Sequence, residues 1–185
     1  VLFDGFSTPL ELLPLGVEKL VLGLIYNNPI KNLPNSLKEL VIKSIYDIQI
    51  INLPNSLNTI IFDYYCNFSF QMHNLPNYIT HIAFGQCCEY DFAITKLPDN
   101  LIHLEFGSGC KFNKQINFPN NLKNLFFRKC CNFNQSLENL PKNLEILELN
   151  ENYNFTKIFD NTILTHNIQK IILNNSKHSS SDGSD

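Results

Sequence analysis

Leu97-Pro98-Asp99-Asn100-Leu101-Ile102-His103-Leu104-Glu105-Phe106-Gly107 is the stretch that decides the fold, because its pattern recurs along the whole chain. With the proline as zero, apolar residues follow at offsets of three, six and eight: Leu101, Leu104 and Phe106. The same offsets give Val17, Leu20 and Leu22 after Pro14, Leu37, Leu40 and Ile42 after Pro34, and Leu57, Ile60 and Phe62 after Pro54. They continue as Ile79, Ile82 and Phe84 after Pro76, Leu122, Leu125 and Phe127 after Pro119, and Leu144, Leu147 and Leu149 after Pro141. Thr165 stands in for the proline of an eighth copy, with Ile168, Ile171 and Leu173.

Successive prolines lie 20, 20, 22, 22, 21 and 22 residues apart, with 24 more to Thr165. A Leu-x-x-Leu-x-Leu unit at that period is the signature of a leucine-rich-repeat solenoid. A unit so short cannot bury its apolar face alone, so each coil must stack on its neighbours. The last positions of the unit alternate apolar and polar residues, as a half-buried strand does, and in-register stacking of such strands makes a parallel sheet. An aromatic four residues before an aliphatic forms a second column: Tyr26 and Ile30, Tyr46 and Ile50, Phe68 and Met72, Tyr90 and Ile94, Phe112 and Ile116, Phe133 and Leu137, Phe155 and Phe159. Too few residues then remain before the next proline for a typical returning helix. The expected fold is a leucine-rich-repeat-like solenoid, broadly of the α/β horseshoe class but mainly β with little or no helix. A parallel sheet forms one face, and extended or 3₁₀ segments form the other.

The solenoid is expected over 1–173, with a truncated first repeat at 1–12 and then eight repeats. That missing front half suggests a piece of a longer protein, whose preceding domain the sequence leaves open. Residues 174–185, ending Ser179-Ser180-Ser181-Asp182-Gly183-Ser184-Asp185, have little to bury and are expected to be disordered. The 27 asparagines among 185 residues sit at repeat-specific places, many in turns, and do not form the tracts of a prion-like segment.

A formal net charge of −3 gives no basic field for nucleic-acid phosphates or anionic lipid, so neither partner is expected. No apolar run approaches the roughly 20 residues of a membrane span, and Val1–Phe6 lacks the basic start and long apolar core of a signal peptide. A soluble, intracellular chain with reduced thiols is the expectation.

Leu-Pro-x-x-Leu-x-x-Leu-x-Phe-Gly coupled to a following Phe-Asn-x-x-Ile resembles the FNIP repeat, a leucine-rich-repeat relative. Leu97–Gly107 with Phe112-Asn113-Lys114-Gln115-Ile116 carries the resemblance best, then Tyr26-Asn27-Asn28-Pro29-Ile30 and Phe133-Asn134-Gln135-Ser136-Leu137. It covers nearly the whole chain to Leu173, although Lys43, Asp63 and Arg128 replace the glycine and Thr165 the proline. FNIP repeats are familiar from social amoebae and from giant viruses that infect amoebae, where some follow an F-box. The resemblance therefore implies a cytoplasmic protein, host-cytoplasmic if viral, and a substrate-recognition arm of a larger F-box-type ubiquitin-ligase protein.

Cys66, Cys88, Cys110 and Cys131 all fall twelve residues after their prolines, with Cys87 and Cys130 one place earlier. No C-x-x-C spacing occurs, and a ladder of small buried thiols is a simpler reading than disulfides or metal. His81 and His103 share a strand offset with Glu105 nearby, a set that could hold zinc, but their column continues as Lys19, Glu39, Thr59, Asn124, Ile146 and Lys170, a variable solvated row. No phosphate loop, Walker lysine, metal triad or nucleophile–base pair stands out, so no catalytic residue, metal or cofactor is expected and the chain reads as a non-enzyme.

The informative column lies seven residues after each proline: Val21, Val41, Ile61, Ala83, Glu105, Phe126, Glu148 and Ile172. Strand alternation points it away from the core, onto the open face. The expected partner-binding residues are Val21, Val41, Ile61, Ala83, His103, Glu105, Phe126 and Arg128, an apolar stripe of the kind that marks a protein partner site. Self-association through the face or through uncapped ends is the rival expectation.

Overall fold

The computed structural model describes residues 2–3, 10, 13–43, 50, 52–64, 75–154 and 168–174. Expectations that fall on Cys66, on Tyr46, Phe68 and Met72, on Phe155 and Phe159, on Thr165, on most of the first repeat and on 175–185 lie outside those residues.

Among the described residues nine strands form one parallel sheet in chain order: β1 (Leu2–Phe3), β2 (Lys19–Leu22), β3 (Glu39–Ile42), β4 (Thr59–Phe62), β5 (His81–Phe84), β6 (His103–Phe106), β7 (Asn124–Phe127), β8 (Ile146–Leu149) and β9 (Lys170–Leu173). No helix longer than a single 3₁₀ residue is assigned among the described residues. Each strand packs only on its sequential neighbours.

The proline does not lead straight into the strand. Its carbonyl accepts the N–H three residues on, from Pro14–Val17 through Pro141–Leu144, closing a turn in every coil it opens. The first apolar position of the motif is thus the last residue of a turn, and the strand begins two residues later. The carbonyl just before each strand then takes two N–H groups from the next coil, as Thr80 does from Ile102 and His103. One residue past β3 to β7 and past β9 another backbone bond crosses, as from Gly107 N–H to the Phe84 carbonyl. Stacking therefore satisfies the backbone of the buried side, which a single coil could not do.

Inside the coils two columns of rings interleave. Phe62, Phe84, Phe106 and Phe127 stack at 5.5, 4.9 and 5.2 Å, and Tyr90, Phe112, Phe133 and Tyr153 at 6.2, 6.3 and 6.2 Å. Within a coil the columns meet, Phe106 on Phe112 at 4.5 Å and Phe127 on Phe133 at 3.8 Å. Tyr153 continues the outer column after Phe133. The rung of backbone N–H bonds beside it agrees: Asn113 to Asp91, Asn134 to Asn113, Asn154 to Asn134.

Coils come in two lengths. From strand end to outer ring is four residues at Leu22–Tyr26 and Leu149–Tyr153, but six at Phe84–Tyr90, Phe106–Phe112 and Phe127–Phe133. The extra pair is a residue in left-handed geometry, Cys87 (φ 53), Gly109 (φ 72) or Cys130 (φ 57), followed by Cys88, Cys110 or Cys131. The thiol ladder thus belongs to the longer coils. The left-handed N–H groups also form a ladder, Cys87 to the Ser108 carbonyl and Gly109 to that of Lys129. Beyond them the coil shortens, and the Glu151 carboxylate takes the Cys130 N–H at 3.0 Å.

Cys88, Cys110 and Cys131 are fully buried and all described cysteines are free thiols. Hydrogen bonding to its neighbour and burial push the Cys88 thiol up, and Cys110, bonded to Cys131, is pushed up to about 12. Cys130, by contrast, is exposed and Cys87 half-buried. A thiol reagent should therefore modify Cys130 in the native protein and reach Cys88, Cys110 and Cys131 only after denaturation. Native labelling of Cys88 at the rate of Cys130, or a Cys88–Cys110 cross-link by mass spectrometry, would contradict this ladder.

In β9 the apolar offsets behave differently: Ile171 and Leu173 are 47% and 48% exposed. Leu147 and Leu149, at the same offsets of β8, are fully buried beneath β9.

Candidate protein-interaction face

Three side-chain columns of the sheet point away from the core, at five, seven and nine places after each proline. In-register pairing fixes the seventh-place row as Val21, Val41, Ile61, Ala83, Glu105, Phe126, Glu148 and Ile172. Val21, Ile61, Ala83, Glu105, Phe126 and Ile172 are half-buried, so the face reaches solvent. Val41 is a correction to the expected stripe, at only 6% exposure. It lies between Val21 and Ile61 across the sheet and between Glu39 and Lys43 along its strand. The ion pairs of those flanking residues, Lys19–Glu39 at 2.8 Å and Lys43–Asp63 at 3.3 Å, lie on either side of it. Long charged side chains shield apolar surface in this way.

Where the hydrophobic row is interrupted, the structure joins the remaining expected residues. Arg128 donates from Nε and Nη2 to Glu105 at 2.9 and 3.2 Å, and from Nη1 to Glu148 at 2.5 Å. Asn174 donates to the other Glu148 oxygen at 3.0 Å. The guanidinium lies over the Phe126 ring, 4.5 Å from its centre, and His103 tilts against the same ring at 5.1 Å. His103 Nε2 stands 3.4 Å from Glu105, and its ring stacks on His81 at 5.6 Å. Phe126 is thus held on two sides by planar groups that are themselves fixed.

The His103 hydrogen bond, with Arg128 adding to it, holds the Glu105 carboxyl down to about 2 against burial, which opposes. A depressed carboxylate contributes stability that is present above its unfolded value near 4.5 and is lost as pH falls through the folded value. Urea midpoints of the native protein should therefore drop between pH 4.5 and 2, and Glu105→Gln should flatten that slope. An unchanged slope would mean that Glu105 is not held by this network.

Glu148 and Asn174 extend the cluster beyond the expected set. Glu148 was visible in the sequence as the second acid of the seventh-place row, one coil beyond Arg128 as Glu105 is one coil before. Lys123, three residues before Phe126, pairs with Glu145 at 2.8 Å. Among the described residues no group of three His, Cys, Asp or Glu is arranged to hold a metal ion, and no helix is long and apolar enough to cross a membrane.

The geometry found here, short parallel strands with turn-closing prolines and paired aromatic columns, repeats the motif that resembles the FNIP unit. The family description "FNIP Repeat" matches residues 46–87. That segment carries the FNIP match. No curated protein matches the chain. Among solved structures it resembles CroV588 from a giant virus, described as a novel circular leucine-rich-repeat protein, with a TM-score of 0.66 and 30% identity over 91% of this chain. The chain spans 28% of that neighbour. The leucine-rich-repeat-like fold expected from the sequence is the fold observed, and the link to giant viruses is through that neighbour.

Proposed function

We propose that this FNIP solenoid is a non-enzymatic recognition module that binds a partner protein on the open face of its sheet. The contact surface runs from Val21 and Ile61 past Ala83 to His103, Glu105, Phe126 and Arg128. The observation that carries the reading is Phe126, half-exposed on a rigid strand and clamped between Arg128 and His103. Aromatic and arginine side chains in fixed positions are the usual hot spots of interfaces, and strands present them without loop-ordering cost. The finer reading, a substrate-recognition arm of a larger F-box-type ubiquitin-ligase protein in the cytoplasm, draws on FNIP relatives. Neither nucleic acid nor membrane is proposed as partner, because the charge and the ion-paired face offer no basic field.

Self-association is the second reading, favoured by the exposure of Ile171 and Leu173 on β9. Size-exclusion chromatography with light scattering separates the two. A concentration-independent monomer supports the recognition module. A dimer dispersed by Phe126→Ala would assign the face to a second copy, and one dispersed by Ile171→Asp would assign β9.

A further inference from the structure

Resting on the open-face reading, we propose that the partner docks an uncharged, apolar segment on this face, with an aromatic side chain against Phe126. Arg128 and Glu148 serve that contact as positioning residues and not as charges offered to the partner. The warrant is where the charges of the face go. From β2 to β8 the fifth, seventh and ninth places hold seven charged side chains, and each is in an ion pair: Lys19 with Glu39, Lys43 with Asp63, and Arg128 with both Glu105 and Glu148. One acid is in excess, and it is the one the face does not present. Glu148 is buried, with Arg128 on one oxygen and Asn174 on the other. Beside these pairs the surface is made by Val21, Ile61, Ala83 and Phe126 at the seventh place, with Ile146 and the two imidazoles at the fifth.

Arg128 presents a plane and not a free charge. Its Nε, Nη1 and Nη2 all donate to carboxylates, at 2.9, 2.5 and 3.2 Å, and the guanidinium sits 4.5 Å from the centre of the Phe126 ring. Glu105 lies one coil before and Glu148 one coil beyond, so the brace is anchored in both neighbouring coils. A partner carboxylate would have to draw the guanidinium away from two acids already in place, and a partner lysine would have to separate Glu105 from it. Either change leaves a charge unpaired inside the contact, which interface cores avoid. An apolar side chain meets neither obstacle, and it covers the ring that Arg128 and His103 hold from two sides.

The test places a single fluorine on the Phe126 ring and titrates the protein with three capped pentapeptides, Ser-Leu-Phe-Leu-Ser and its counterparts with Glu or Lys in place of Phe. Fluorine NMR follows the ring at about 0.05 and 0.5 M salt, a range over which exposed charge contacts are screened. The Phe peptide should shift the resonance saturably and bind at least about tenfold tighter than either charged peptide. Its dissociation constant should change less than about twofold with salt. Arg128→Lys keeps the charge but loses the planar fork, and Glu148→Gln releases the far anchor without touching the peptide. Each should move the free resonance and weaken the Phe peptide by about fivefold. Lys43→Gln, which breaks an ion pair of the same face that holds no ring, should leave both readings as in the native protein. Tighter or salt-sensitive binding of the Glu or Lys peptide, native-like binding of the Phe peptide by Arg128→Lys, or no saturable shift with any peptide overturns the proposal. The open-face reading is judged separately, by partner capture with Ile61→Asp and Phe126→Ala.

Discussion

Phe106→Ala should destabilise the protein by about 3–5 kcal/mol, the usual cost of emptying a fully buried aromatic site. The ring has no solvent exposure and touches three others, Phe84 at 4.9 Å, Phe127 at 5.2 Å and Phe112 at 4.5 Å. Each such pair adds about 0.5–1.5 kcal/mol beyond area burial. In a solenoid the loss falls on both interfaces of one coil, so coupling between the two halves should weaken as well. Urea unfolding followed by circular dichroism should show a lower midpoint and a broader transition. A loss below about 1 kcal/mol would mean that the aromatic columns do not hold the coils together.

The period made the fold legible from Pro14 onward, because a 20-to-22-residue unit has few ways to bury Leu, Ile and Phe at three fixed offsets. The strand face was legible for the same reason: alternation alone placed Ile61, Ala83, Glu105 and Phe126 on one row. What counting from the proline could not supply was a change of coil length. From strand end to outer ring is two residues shorter after Leu149 than after Phe127, so the ring on Phe133 is Tyr153, two places before the counted one. Val41 shows another limit, since alternation gives the direction of a side chain but not how far its ion-paired neighbours cover it. Arg128 was legible as a member of the partner-binding set; its links to Glu105 and Glu148 depend on distances across coils, although the alternation of acid, base and acid in successive coils was there to be read.

Ile61→Asp combined with Phe126→Ala should reduce partner binding by about a thousandfold, since each of two lost hot-spot side chains costs roughly 2 kcal/mol or more. Neither change opens the core: both residues are half-buried on the outer face, while Ile60 and Phe127 beside them are the fully buried ones. The thermal midpoint should therefore stay close to that of the native protein. The control pair is Asn113→Ala with Gln135→Ala on the opposite side, where Gln135 Nε2 donates to Asn113 at 3.0 Å. Capture lost in the control and kept in the strand pair would move recognition to that side.

Hydroxyl-radical footprinting of the captured complex tests open-face recognition most directly. Binding should protect Phe126, His103 and Ile61 from oxidation while Phe92 and Tyr64, both exposed away from the row, keep their free-protein rates. Protection of Phe92 with unchanged oxidation of Phe126 and His103 would contradict it.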